Sequence, residues 1–199
     1  MVNDLSTAQK WMYLAQQQKK QRDDIDRSTH GSLRAAPVYL INKLRHEISA
    51  DVFRQIKVCI ETERLSWLET FVAKDGITIA VAHIVRISRE LKERGQQSDG
   101  DKELVLAGLK MITSMGVTMT GIKLFLEADD GTILSKLVLC LDTTDARCKK
   151  VLYDFFALLC AVGKGARTLV ADAMESFKYQ TREEMKFFDL VETLKYETA

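Results

Sequence analysis

The chain has 199 residues, with 29 Lys and Arg against 28 Asp and Glu, 46% hydrophobic residues and one proline. A formal charge of +1 leaves no general electrostatic footprint for nucleic acid or a polybasic membrane surface, so any partner must be read from a local patch. The longest apolar run, Phe155 to Val162, is far short of the ~20 residues that span a bilayer.

Few helix breakers and abundant Leu, Ala, Glu, Lys and Met predict an all-α protein. No basic region followed by an apolar stretch opens the chain, so an intracellular protein is expected. Cys59, Cys140, Cys148 and Cys160 never approach a C-x-x-C spacing, which predicts buried free thiols rather than a zinc or redox pair.

Ser6 or Thr7 can cap a first short helix whose apolar patch is Trp11, Met12, Leu14 and Ala15. Its polar continuation, Gln16 to Asp24, leads into a loop through Ser28, His30 and Gly31. Pro37 suits a first helical turn, and Val38, Leu40, Ile41 and Leu44 then recur at helical spacing. A small N-terminal helical subdomain is expected over residues 1–50, and a helical-repeat domain over 51–199.

From Asp51 to Glu61 a helical wheel gathers Val52, Phe53, Ile56, Cys59 and Ile60 on one core arc. Val58 points nearly opposite, among Arg54, Lys57, Glu61 and Thr62, as an apolar anchor in a polar rim would. Phe71 to Ile77 and Phe125 to Ile133 then share a pattern: a helix ending in an aromatic, an Asp-Gly corner allowing positive φ, and a new apolar helix. Gly163-Lys164-Gly165 before Leu169 to Met174 forms a third corner, and a polar loop is expected over Arg94 to Asp101. Helical units recurring at roughly 35 to 55 residues predict an armadillo-like or HEAT-like solenoid of about three repeats.

In the helix from Lys102 to Met115, Leu104, Val105, Leu109 and Ile112 form the core arc and leave Lys110 and Ser114 one turn apart on the outer face. The apolar residues of Val151 to Val162 exceed one core stripe, with Leu158, Ala161 and Val162 at an edge that suits a groove for a partner helix. Chemistry is sparse. His30, His46 and His83 stand apart, and no H-E-x-x-H, G-x-S-x-G, Walker loop or G-x-G-x-x-G occurs, so neither an enzyme nor a cofactor is expected. The acidic residues Glu127, Asp129, Asp130, Asp142 and Asp145 match no calcium loop and are read as a solvated repeat edge near helix N-termini.

The succession Pro37-Val38-Tyr39-Leu40-Ile41-Asn42-Lys43-Leu44, Val52 to Ile60, Leu65-Ser66-Trp67-Leu68-Glu69-Thr70-Phe71 and Asp75-Gly76-Ile77 resembles the GTPase-binding and armadillo-type regulatory domain of diaphanous-related formins. The resemblance continues through Leu109-Lys110, Gly121-Ile122-Lys123, Asp130 to Leu134 and Leu158-Leu159-Cys160, and covers about Ala36 to Tyr179. Gln9-Lys10-Trp11-Met12 is similar to the lead-in of the lower-eukaryotic members.

Membership would imply two partners: a Rho-family small GTPase in its GTP form, bound by the N-terminal helices and first repeat, and the formin's own C-terminal autoregulatory segment, docked on the repeats. Actin would be reached only indirectly, through the half of the protein held inactive, and the setting would be the cytoplasm, at the actin cytoskeleton or cell cortex. By position, the GTPase-contacting set would be Lys10, Arg54, Val58, Thr62 and Glu63, and the autoregulatory groove Lys110, Ser114, Leu158, Ala161 and Val162. Animal members carry asparagines where this chain has Thr62, Glu63 and Ser114, and Met115 to Thr120 includes a short insertion. The proline-rich and actin-binding regions of such a protein are not in this sequence, which is therefore expected to be a regulatory part of it. From the residues alone, the alternative is a helical-repeat adaptor with no GTPase involvement.

Overall fold

The computed structural model describes residues 36–94, 98–127, 132–143 and 145–181, and these are helical nearly throughout. In chain order the helices are α1 (Pro37–His46), α2 (Ala50–Thr62), α3 (Leu65–Ala73), α4 (Gly76–Arg94), α5 (Asp99–Met115), α6 (Met119–Glu127), α7 (Thr132–Leu137), α8 (Ala146–Val162) and α9 (Lys164–Thr181). A 3-10 turn, Val138–Leu141, prolongs α7.

Three of these helices begin alike. Ser49, Ser98 and Asp145 each turn a side-chain oxygen onto a backbone N–H of the first turn, of Val52 (3.3 Å), Asp101 (3.2 Å) and Arg147 (2.9 Å) respectively. The caps start α2, α5 and α8 at residues 50, 99 and 146, at close to the armadillo interval. The three pack in succession as one layer, while α1, α4, α7 and α9 pack in succession as a second. A continuous core from Leu40 to Phe177 lies between them, as stacked repeats require. The all-α solenoid expected from the sequence is the observed architecture. Leu40, Ile41 and Leu44 of α1 are buried in this same core. Residues 1–35, with Lys10 and the first expected helix, and residues 182–199 lie outside the described residues.

Several expectations need correction. At the first Asp-Gly corner the positive φ belongs to Asp75 (61°), whose carbonyl accepts the opening bond of α4 from Ile79 N–H (3.0 Å). Gly76 is there for space, since a Cβ on it would stand 2.6 Å from Phe71 Cζ. Phe71 cannot retreat, being buried and stacked on Trp67 at 5.3 Å between ring centroids. The second corner, Asp129 to Gly131, lies outside the described residues. At the third, α9 begins at Lys164 rather than Leu169, with Gly163 extended. The helices α5 and α8 also begin earlier than expected, at Asp99 and Ala146, because α5 caps on Ser98, inside the stretch read as loop, and α8 on Asp145, read as part of a solvated edge.

No single helix among the described residues is long and apolar enough to cross a membrane; α5 and α6 pass together on composition but meet at a 103° bend. Thr118 makes that bend: its hydroxyl donates to Met115 O (2.8 Å) and accepts from Gly121 N–H (3.0 Å).

Candidate partner-binding faces

The helix α2 buries Val52, Phe53, Ile56, Cys59 and Ile60, the arc read from the wheel, and leaves Val58 55% exposed. A neighbouring inner-layer helix decides this. The helix α5 has α2 on one side and α8 on the other, and it buries Ala107, which stands as far from its capping serine as Val58 does from Ser49. Among the described inner-layer helices α2 has a packed neighbour on one side only, so its outer face keeps an apolar residue in water. Around it, Lys57 pairs with Glu61, and the Thr62 hydroxyl donates to Val58 O (2.8 Å). Glu63 is half-buried at the end of the helix, where its N–H donates to Cys59 O (2.8 Å). Leu65, half exposed at the start of α3, adds apolar surface beyond the polar end of α2.

Arg54 does not stand ready as a free cation. Its Nη1 donates to Asp51 Oδ1 (2.8 Å) and its Nη2 to Glu103 Oε1 of α5 (2.7 Å). The other oxygen of Glu103 lies 3.7 Å from Arg147 Nη1 of α8, and Arg147 Nη2 and Nε donate to Asp145 (2.8 and 3.1 Å). Five charges thus run across the first turns of the three inner helices. The hydrogen bonds to Glu103 first, and to Asp51, hold the Arg54 guanidinium more firmly protonated, as those to Asp145 do for Arg147.

Asp145 itself is 9% exposed, so the acidic residue read as part of a solvated edge is a buried N-cap instead. The guanidinium of Arg147, above all, holds its carboxyl below the usual carboxylate range. Sequence reading missed Glu103, Arg147 and the burial of Asp145, although one signal was available: Arg54 and Glu103 each stand five residues after a capping serine, with opposite charge.

On α5, Lys110 is exposed and Ser114 half-buried, its hydroxyl donating to Met111 O (2.7 Å). On α8, Leu158 is half-buried, Ala161 exposed and Val162 40% exposed. The two helices lie side by side, and their seam is tight at the end of α5. A Cβ on Gly116 would stand 2.3 Å from Phe155 Cε2, and that ring is buried edge-on to Phe125 at 5.0 Å. Lys110 and Ser114 stand on one helix and Leu158, Ala161 and Val162 on its packed neighbour, so the five residues border one seam. Val117 and Met119, the latter 57% exposed, add apolar surface at the bend after α5, within the stretch noted as an insertion.

Elsewhere among the described residues there is little chemistry. A cleft of about 160 Å³ between α4, the 3-10 turn and the end of α9 is lined by Ser88, Arg89 and the ion pair of Lys92 with Asp142. It is smaller than the ~300 Å³ at which small-molecule sites begin. Among the described residues no group of three or more His, Cys, Asp and Glu could hold a metal ion. Burial pushes the Cys140 and Cys148 thiols up to about 12, which keeps them protonated and unreactive near neutral pH.

Residues 1–161 match the family model described as the Diaphanous GTPase-binding Domain. The chain is 27% identical to Formin-D of Dictyostelium discoideum over 161 residues, which cover 80% of this chain and 13% of that protein. It is 21% identical to Formin-F of the same organism over 159 residues, covering 80% of this chain and 12% of that one. The chain thus spans about an eighth of the length of the curated relatives it matches.

Proposed function

The chain belongs to the diaphanous GTPase-binding domain family, a family of regulatory rather than catalytic domains, and on that footing we propose that it binds a Rho-family GTPase in its GTP form through the outer face of α2. The observation that carries the choice of face is Val58, a β-branched residue 55% exposed within a rim of polar and charged side chains, on the first of the described inner-layer helices. Large exposed apolar residues ringed by polar groups are how anchors of protein contacts look, and burying Val58 would desolvate no charge of its own. Thr62 and Glu63 border it, and Lys10 assists from the N-terminal segment.

State dependence follows from differential affinity alone: the partner's nucleotide-sensitive segments must touch this face in one conformation and not in the other. Titration of the chain with a panel of Rho-family GTPases, each loaded with GDP or with a non-hydrolysable GTP analogue, tests the reading. At least about tenfold tighter binding of the GTP form by one member is expected; equal binding of both forms by every member overturns it.

The same reading extends along the α5–α8 seam. Lys110, Ser114, Leu158, Ala161 and Val162 offer one exposed cation and an apolar edge, which suit an amphipathic helix with acidic neighbours. In a formin that helix is the C-terminal autoregulatory segment, whose docking restrains the actin-assembling half until the GTPase arrives at the cell cortex. If the two ligands oppose one another, each must weaken the other by the same factor. A peptide of that segment binding equally well to the free and the GTPase-saturated chain would remove this part of the reading.

A further inference from the structure

The five charges across the first turns of α2, α5 and α8 form a sequence of shared partners: Asp51, Arg54, Glu103, Arg147 and Asp145. Glu103 is the only one of them that joins helix to helix twice, with Oε1 on Arg54 of α2 (2.7 Å) and Oε2 turned toward Arg147 of α8 (3.7 Å). The two ends differ. Asp51 is almost fully exposed, whereas Asp145 is buried and caps α8 through the Arg147 N–H (2.9 Å) while accepting the Arg147 side chain. Three carboxylates share two guanidinium groups, so the chain of pairs already carries one negative charge in excess. A carboxylate of a partner that takes an arm of Arg54 would not strand Glu103, which has a second guanidinium less than one ångström beyond hydrogen-bonding range.

We propose that Glu103 is a positioning residue for recognition by α2: it holds Arg54 at the edge of α2 that faces α5 and, when an acidic side chain of the bound GTPase engages Arg54, it closes onto Arg147 Nη1, the nitrogen that the bonds to Asp145 leave to it. This rests on the reading of α2 as the GTPase-facing helix. It adds a physical link from the first inner helix to α8, whose far end carries Leu158, Ala161 and Val162. Each exposed pair is weak, so the effect of Glu103 on partner affinity is about two- to fivefold rather than an all-or-none switch.

The test reads the Arg147 side chain directly, by the ¹⁵N-resolved Nε–H resonance of the full chain, assigned with R147K. In the free chain, R54Q should shift the Arg147 Nε–H signal and slow its exchange with water as Glu103 moves onto it, and R54Q in an E103Q background should leave it unmoved. An Arg147 signal identical in wild type and R54Q, with both chains folded by thermal melting, overturns the proposal. Addition of the GTP-loaded GTPase should shift Arg147 in the same direction in wild type and not in E103Q. Binding should weaken about threefold in E103Q and no further when E103Q is added to R54Q. If the GTPase binds while Arg147 stays still, the link is wrong and the GTPase reading stands. If R54Q moves Arg147 but no GTP-loaded GTPase binds, the reading of the α2 face fails and takes the proposal with it.

Discussion

Val58→Asp separates the surface role of this residue from any role in folding. Complete burial of a valine is worth about 1.5–3 kcal/mol, and a partner covering the half now in water would recover roughly 1 kcal/mol of it. Aspartate forfeits that gain and brings a carboxylate that must be desolvated without a cation of the partner, so the loss should reach about 2 kcal/mol or more, roughly thirtyfold in Kd. Folding should barely respond. Val58 is 55% exposed, the Thr62 hydroxyl bonds to its backbone carbonyl rather than its side chain, and valine and aspartate have similar helix propensities. A change of about 0.5 kcal/mol or less corresponds to at most ~2 °C in a chain of this size. Calorimetric titration with the GTP-loaded GTPase, run beside a thermal melt, gives both numbers. Undiminished affinity with an unchanged melting midpoint would refute the placement of the contact on α2, and a midpoint lowered by many degrees would show that Val58 is not a surface residue at all.

Three further outcomes follow from the described geometry. Gly116→Ala puts a Cβ 2.3 Å from a Phe155 ring that is itself locked against Phe125, so the α5–α8 seam should loosen at a cost of about 1–3 kcal/mol, read as a lower urea midpoint; an unchanged midpoint would mean the seam is slack. The Asp145 carboxyl is held by Arg147 below its unfolded value of 3.8, so its stabilisation is fully present above about pH 4 and is lost as pH falls through the lower folded value. Urea unfolding at pH 6 and pH 3 should therefore show wild type losing more stability than Asp145→Asn, and equal losses would disprove the pairing. Native alkylation followed by mass spectrometry should label half-buried Cys160 ahead of Cys140 and Cys148, whose thiols are pushed up to about 12; equal rates would contradict the burial.

The arc of α2 was legible because a helix that packs one face and wets the other must repeat its apolar residues at 3.6-residue spacing, and Val52, Phe53, Ile56, Cys59 and Ile60 do so with Val58 opposed. Likewise Pro37 opened a helix because its fixed φ and missing N–H suit a first turn. The wheel failed for α5, where Leu106, Ala107, Gly108, Met111 and Met115 are buried beyond the single arc it outlined. A helix clasped by neighbours on several sides no longer has one apolar stripe, and a sequence does not say how many neighbours it will have.

What the sequence by itself determined are the local and periodic features: helix over strand among the described residues, the repeat interval, the close corner at Asp75 and Gly76, and an apolar residue out of register on α2. These follow from short-range sterics, backbone hydrogen bonding and spacing within a few turns. Which surface stayed open was decided by tertiary structure, since Val58 and Ala107 hold equivalent places in successive repeats and only stacking buries one and not the other. The pairing of Arg54 with Glu103, of Glu103 with Arg147, and the burial of Asp145 beneath its own arginine belong there too. Those groups lie far apart along the chain, and an ion pair depends on distances of a few ångströms that no spacing in sequence sets until the helices are laid side by side.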